Sequence, residues 1–299
     1  MRKVLVSGAL ALIGLAAPTA PVLTSAAAPP PAAAAAPAHP ADPTRPGLYH
    51  VPIIGKAVLP GLGSLLGGGL RHATAVQSAN WSGYADTDDT FDSVTSSWTE
   101  PTVNCAGSLG SLDGLLGGPD AASAFWVGLD GYSSSSVEQL GTDSDCDSGA
   151  PGYYAWYEMY PNPSVQLPSQ DSVSPGDHMT ALVASNSTGT SFTLMLKDST
   201  ANWSFSTTQS GSGFARSSAE VVAEAPSSCS LLFCSEVPLA DFGQVSYSGS
   251  SLIDAAGSKG PLSAFDANEI TMASDGSTLA TPSSLSPDGS SFSVSWDNS

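Results

Sequence analysis

Residues 178–198 read HMTALVASNSTGTSFTLMLKD. Apolar side chains alternate with small or polar ones on both sides of the turn cluster Asn186-Ser187-Thr188-Gly189. A period of two is the mark of a half-buried strand. The same texture surrounds it in FDSVTSSW (91–98), SAFWVGLD (123–130), SVEQLG (136–141), YYAWYEMY (153–160), NWSFSTT (202–208) and SAEVVAEA (218–225). Gly, Pro, Asn, Asp and Ser clusters separate these runs, and nothing of helical period and useful length intervenes. The expected fold is all-β, an antiparallel sandwich or barrel forming one domain over 75–299. The Gly-rich 107–120 is expected to be a surface loop.

The chain before this domain is different. Residues 1–28 have a basic start, an apolar run and small residues from Ser25 to Ala28, the order of a secretory signal. Pro18 and Pro21 cut the run short of a bilayer span, so no membrane association is expected once the signal is removed. Residues 29–74 are Pro/Ala-rich and then Gly/Leu-rich, a linker or prosegment composition, with one short apolar piece, LYHVPIIGKAVL (48–59), suited to docking on a partner surface.

The 299 residues carry 8 Lys+Arg against 27 Asp+Glu, a net charge of −19. Residues 1–28 and 29–74 each carry +2 and residues 75–299 carry −23. Nucleic acid is excluded as a partner, because phosphate neutralisation needs a basic face. The +2 and the three histidines of 29–74 (His39, His50, His72) suggest an inhibitory prosegment held electrostatically at neutral pH and loosened by acid.

Four cysteines in a secreted domain argue for two disulfides. Three pairings are possible, and Cys105–Cys146 with Cys229–Cys234 is the favoured one. No C-x-x-C pair or His cluster points to zinc, and neither a metal nor a cofactor is expected. Only His178 lies within 75–299, where it follows Pro175-Gly176-Asp177 and reads as a turn-flanking surface residue. Without a G-x-S-x-G elbow, and with the lone Asp147-Ser148-Gly149 triplet in a polar loop, what remains for catalysis is carboxylate chemistry with amide partners.

Strand alternation sorts the candidates. Glu220, Val222 and Glu224 share one face, opposite Ala219, Val221 and Ala223. Gln139 and Val137 separate from Glu138 and Leu140, which leaves Glu138 as a solvated edge charge. Tyr154, Trp156, Glu158 and Tyr160 form one aromatic-walled face, which raises the pKa of its carboxylate.

The segments Asn80-Trp81-Ser82-Gly83, Trp126 to Gly131 (WVGLDG), Val137 to Gly141 (VEQLG), Ala155 to Pro161 (AWYEMYP) and Ala219 to Glu224 (AEVVAE) resemble, in order and spacing, the glutamic peptidases (eqolisins). The resemblance covers most of 78–246. It implies a sandwich of two bent antiparallel sheets with a concave substrate cleft. It also implies a catalytic pair on Gln139 and Glu224, with Trp81, Trp126, Asp130 and Glu158 in the cleft. Glu224 would take a proton from the attacking water and return it to the leaving amine, while Gln139 stabilises the oxyanion. The implied protein is an acid endopeptidase acting on proteins or peptides; secretion is expected from the signal-like 1–28, and a monomer is expected. The rival readings are a carbohydrate-binding sandwich using Trp81, Trp126 and Trp156, or a glycosidase using Asp130 and Glu158.

Overall fold

A computed structural model describes residues 48–59, 74–106, 119–229 and 234–298. The signal-like segment and nearly all of the Gly-rich 107–120 stretch lie outside them. One sheet runs, in spatial order, β2 (Ala57–Val58), β3 (Thr74–Ser78), β18 (Asp266–Ser274), β4 (Trp81–Thr87), β13 (Ala219–Glu224), β6 (Ala121–Leu129), β7 (Val137–Asp147), β8 (Ala150–Tyr160) and β9 (Val165–Gln166). A second runs β12 (Trp203–Ser210), β11 (Ser191–Asp198), β10 (His178–Ser185), β5 (Phe91–Thr99), β16 (Gln244–Asp254), β20 (Phe292–Trp296) and β19 (Ser277–Pro282), with β17 (Lys259–Gly260) also on β16. The β18–β19 pairing joins the two. Among the described residues the named strands pair antiparallel except β3 with β18. The expected all-β sandwich is what the chain forms.

Alternation builds the layers. Along β10 and β11, Met179, Ala181, Val183, Phe192, Leu194 and Leu196 are buried, and they meet Phe125, Val127, Leu140 and Val221 from the first sheet in the main core. The opposite face of the first sheet holds a second cluster of Trp81, Trp126, Trp156, Val222, Val137 and Ile270. A sheet buried on both faces requires something to cover that second one. Part of the cover is residues 48–59, whose short β1 (Leu48–Tyr49) adds to the hairpin of β14 (Ser227–Cys229) and β15 (Cys234–Glu236), and whose β2 adds to β3.

Disulfides Cys105–Cys146 and Cys229–Cys234 form, the favoured pairing. The polar loop expected around Asp147-Ser148-Gly149 shrinks to a turn at Ser148 and Gly149, because β7 runs on through the acidic stretch to Asp147 and β8 starts at Ala150. The single O–H of Tyr154 on neighbouring β8 is shared between Asp143 and Asp145 of β7, at 2.6 and 3.1 Å. Glu138 also departs from expectation. It is fully buried rather than a solvated edge charge, because β7 has neighbours on both sides and the second sheet beneath it.

Candidate active site

Register sets the site. Across β4, β13, β6, β7 and β8 three rows of residues follow one another on the outer face of the first sheet. One row is Ala85, Glu220, Gly128, Gln139 and Glu158, the next Gly83, Val222, Trp126, Gly141 and Trp156, and the third Trp81, Glu224, Ala124, Asp143 and Tyr154. Gln139 and Glu224 therefore stand two rows apart, on strands separated by β6, with the Trp126 and Trp156 row between them. A glycine creates the room. A Cβ at Gly128 would lie 2.8 Å from the Trp126 ring and 3.2 Å from the Gln139 Cβ, so the W-V-G glycine lets the indole lie over the sheet beside Gln139.

The two side chains converge on a single peptide of the docked segment. Gln139 Nε2 donates to the His50 carbonyl oxygen at 2.5 Å, and the Val51 N–H donates to Glu224 Oε1 at 3.0 Å. The other oxygen of Glu224 accepts from Trp126 Nε1 at 2.7 Å. Trp81, packed edge-on against Trp126 with ring centres 5.0 Å apart, donates its indole N–H to the Val51 carbonyl at 3.1 Å. Asn80 Nδ2 reaches the Val51 and Pro52 carbonyls, both at 3.3 Å.

Glu158 holds the His50 residue itself, on the acyl side of that peptide. Its Oε2 accepts from the His50 backbone N–H at 2.9 Å and from Gln139 Nε2 at 3.3 Å, and lies 3.1 Å from His50 Nδ1. The imidazole stacks on Trp156, centroids 3.4 Å apart and planes 3° from parallel, and its Nε2 lies 3.2 Å from Asp143 Oδ1. Each of these ring contacts needs a proton between nitrogen and carboxyl oxygen, since neither acceptor alone can donate.

Burial governs the charges. Glu224 is pushed well above the usual carboxylate range, first by burial and then by the neighbouring Glu158, while the Trp126 and Val51 hydrogen bonds pull it back. Burial also raises Glu158, opposed by His50, and carries Asp143 up to about 7. Burial lowers His50.

Five residues marked in the sequence, Gln139, Glu224, Trp81, Trp126 and Glu158, thus meet around His50 and Val51, with Gln139 and Glu224 on the peptide that joins them and Trp126 held to it through Glu224. Asp130 faces elsewhere. Its carboxylate accepts from the Arg216 and Ser217 backbone N–H groups at 2.8 and 2.9 Å and from the Ser217 hydroxyl at 3.1 Å. It holds the β6 exit turn, where it adopts φ 70°. His178 is exposed, as its turn position suggested. His50, Asn80 and Asp143 were not marked. The signal for His50 was the apolar docking piece LYHVPIIGKAVL, and the signal for Asp143 was its i, i+2 spacing with Asp145.

The Peptidase A4 family matches residues 79–296. Aspergillopepsin-2 of Aspergillus niger is 31% identical over 225 residues, 71% of this chain and 76% of the relative. Scytalidopepsin B of Scytalidium lignicola is 31% identical over 174 residues, 56% of this chain and 60% of the relative. Among solved structures, scytalido-glutamic peptidase with a peptide-based transition-state analogue superposes with a TM-score of 0.61 at 26% identity, covering 73% of this chain and 98% of that one.

Proposed function

The chain belongs to the Peptidase A4 family and is a glutamic-type endopeptidase, and on that premise we propose that it is a secreted acid enzyme that cuts proteins through a Gln139/Glu224 dyad. The observation that carries this reading is the grip on one peptide group: carbonyl oxygen on Gln139, amide N–H on Glu224. These are the two ends that hydrolysis must treat differently.

Glu224, ionised, takes a proton from a water directed at the carbonyl carbon. Gln139 Nε2 is already aimed at the oxygen on which negative charge develops, and one such donor in a water-poor site is worth about 3–4 kcal/mol of barrier. Glu224 then delivers its proton to the nitrogen it already faces, and the C–N bond breaks. Trp126 and Trp81 keep the site dry and orient the carboxylate and the peptide chain. Acid suits Asp143 and Glu158, which are then protonated and hydrogen-bond without repelling Glu224. This removes the neighbouring charge that raises Glu224, the Trp126 hydrogen bond lowers it, and departure of the docked 48–59 segment lifts part of its burial, so that it ionises as the base. The relative bound to a peptide-based analogue supports a peptide as occupant of the same cleft. A sugar-binding or glycosidase role is not favoured, since Asp130 serves a turn and family membership points to peptide bonds.

Residues 1–28 act as the secretion signal and 29–74 as an inhibitory prosegment whose 48–59 piece closes the cleft. Casein degradation at about pH 3–4 tests the reading. It is expected from the wild-type chain and should be lost in both Glu224→Gln and Gln139→Ala. Retained proteolysis in Glu224→Gln would sink the dyad.

A further inference from the structure

We infer that Glu100 is a positioning residue for the reaction: from the core side of the first sheet it holds β7, and so keeps Gln139 in place in the cleft. The inference rests on the dyad proposed above. Gln139 reaches the reacting carbonyl from one face of β7, and the face behind it belongs to the core between the sheets.

That hidden face is not wholly apolar. Leu140 and Cys146 pack there with Trp98, Phe125 and Ala155, yet Thr142 and Ser144 lie between them, on either side of the cleft residue Asp143. Glu100, 1% exposed, forks onto both hydroxyl groups. Its Oε2 lies 2.6 Å from Thr142 Oγ1 and its Oε1 2.7 Å from Ser144 Oγ. The indole N–H of Trp98 is shared between Glu100 Oε2 and Thr142 Oγ1, 3.2 Å from each. The fork stands on a fixed base. The Glu100 N–H donates to the Asp177 carbonyl and the Glu100 carbonyl accepts from the Gly176 N–H, both at 2.8 Å, which ties it to the turn that leads into β10. The second sheet thereby grips the middle of β7.

Burying a carboxyl group is costly, and replacing a buried hydrogen-bonded set by apolar groups of the same shape is often neutral or stabilising. Stability alone therefore does not account for the fork. What it adds over apolar packing is direction, because hydrogen bonds weaken steeply off their axis. Gln139 stands three residues before Thr142 on the same strand, and its Nε2 must meet the oxygen on which charge develops. A misplacement of about 1 Å there can cost about 100-fold in rate. The protonation state fits as well. Burial carries Glu100 up to about 7 against the pull of the Thr142, Ser144 and Trp98 hydrogen bonds, with Asp143 adding to the rise, so in acid the group is neutral. Oε2 then accepts from Thr142 and Trp98, while Oε1 carries the proton and donates it to Ser144. A glutamine reproduces this pattern, with amide oxygen for Oε2 and amide nitrogen for Oε1.

Steady-state kinetics of the full-length chain on one peptide substrate at about pH 3–4 test this. Glu100→Gln should keep the wild-type kcat. Glu100→Leu should lower kcat by about 10–100-fold and leave KM within about threefold, since Trp81, Asn80 and the β14 edge, which hold the bound chain, do not touch it. Glu100→Leu/Thr142→Val/Ser144→Ala replaces the whole fork by apolar groups. This triple variant should match the wild type in denaturant unfolding yet stay as slow as Glu100→Leu, whereas a purely structural fork would restore the rate along with the stability. Wild-type kcat in Glu100→Leu or in the triple variant, equal losses in Glu100→Gln and Glu100→Leu, or a loss confined to KM would overturn the inference. If Glu100→Leu does not fold, the triple variant decides alone. Gln139→Ala separates the two readings: if it is slow while Glu100→Leu is not, only the role of Glu100 falls. If Gln139→Ala is as fast as the wild type, or the wild type leaves the peptide intact, the dyad falls and this inference with it.

Discussion

The indole N–H of Trp126 donates to Oε2 of Glu224 at 2.7 Å, which fixes the carboxyl plane so that Oε1 faces the amide nitrogen of the bound peptide. Trp126 is read from its motif as a cleft wall, yet in the structure it is also the group that counteracts the burial of Glu224.

Trp126→Phe keeps most of the packing and removes this donor. With the downward pull gone, the raised Glu224 rises further, so the acid limb of the kcat/KM profile should move to higher pH. The rate should fall by about 10–100-fold, the range for a hydrogen bond to a charged group. An unshifted limb in a pH-rate profile would show that the indole serves packing alone.

Gly128→Ala should harm activity more than stability. The new methyl presses on the Trp126 ring and on Gln139 Cβ, both parts of the site. Gly141→Ala should cost both stability and activity, because its Cβ would come within 2.1 Å of the Phe125 backbone oxygen and 2.6 Å of the Trp126 Cβ, neither of which can yield without moving β6. A loss of about 2 kcal/mol or more is expected there by denaturant unfolding.

Asp86, Glu138 and Glu220 are buried with no hydrogen bond of ordinary geometry to their carboxyl oxygens. Burial raises all three, Glu138 to about 10 with Asp130 adding to the effect, and it raises Glu100 to about 7. A carboxyl group raised in the folded state costs no stability while both states are protonated. It destabilises progressively as pH climbs from the unfolded value near 4 toward the folded one. Thermal stability should therefore be highest in acid and fall from about pH 4 to pH 8. Glu138→Gln should recover stability near neutrality and change little at about pH 3. A melting temperature equally improved at both pH values would point to packing instead of charge.

Cys105–Cys146 closes a sequence separation of 41 and Cys229–Cys234 one of 5. Chain entropy assigns them about 4 and about 2 kcal/mol. Replacing the first pair by Ala should lower unfolding stability the more, whereas replacing the second should chiefly raise KM for long peptides, since it loosens the β14–β15 hairpin that pairs with the segment. Equal KM values for wild type and the Cys229→Ala/Cys234→Ala variant would refute a role for that hairpin in binding.

Local pattern made much of this legible. Alternation in HMTALVAS and TSFTLMLK, and the single-face set Glu220, Val222 and Glu224, report directly which way side chains point, because a strand has a period of two. The ordered motifs then brought Gln139, Glu224, Trp81, Trp126 and Glu158 forward together. Glu138 misled for a physical reason. A charged residue beside a cleft residue defaults to solvent unless a second sheet covers its face, and covering is a long-range event. Asp130 sits in the same motif as Trp126, but the 216–217 loop claims its carboxylate, and no spacing rule foretells a loop that arrives 86 residues later.

By itself the sequence determined that this is a strand-built, disulfide-bearing acidic protein, because those properties depend on residue type and near neighbours, and its ordered motifs resemble a family that places an amide and a carboxylate in a cleft. Only the tertiary structure decided what lies between Gln139 and Glu224. The peptide His50–Val51 comes from a segment 89 and 173 residues away from its two partners. That pairing depends on the register of five strands of one sheet and on a distant segment that crosses it, neither of which any local pattern records.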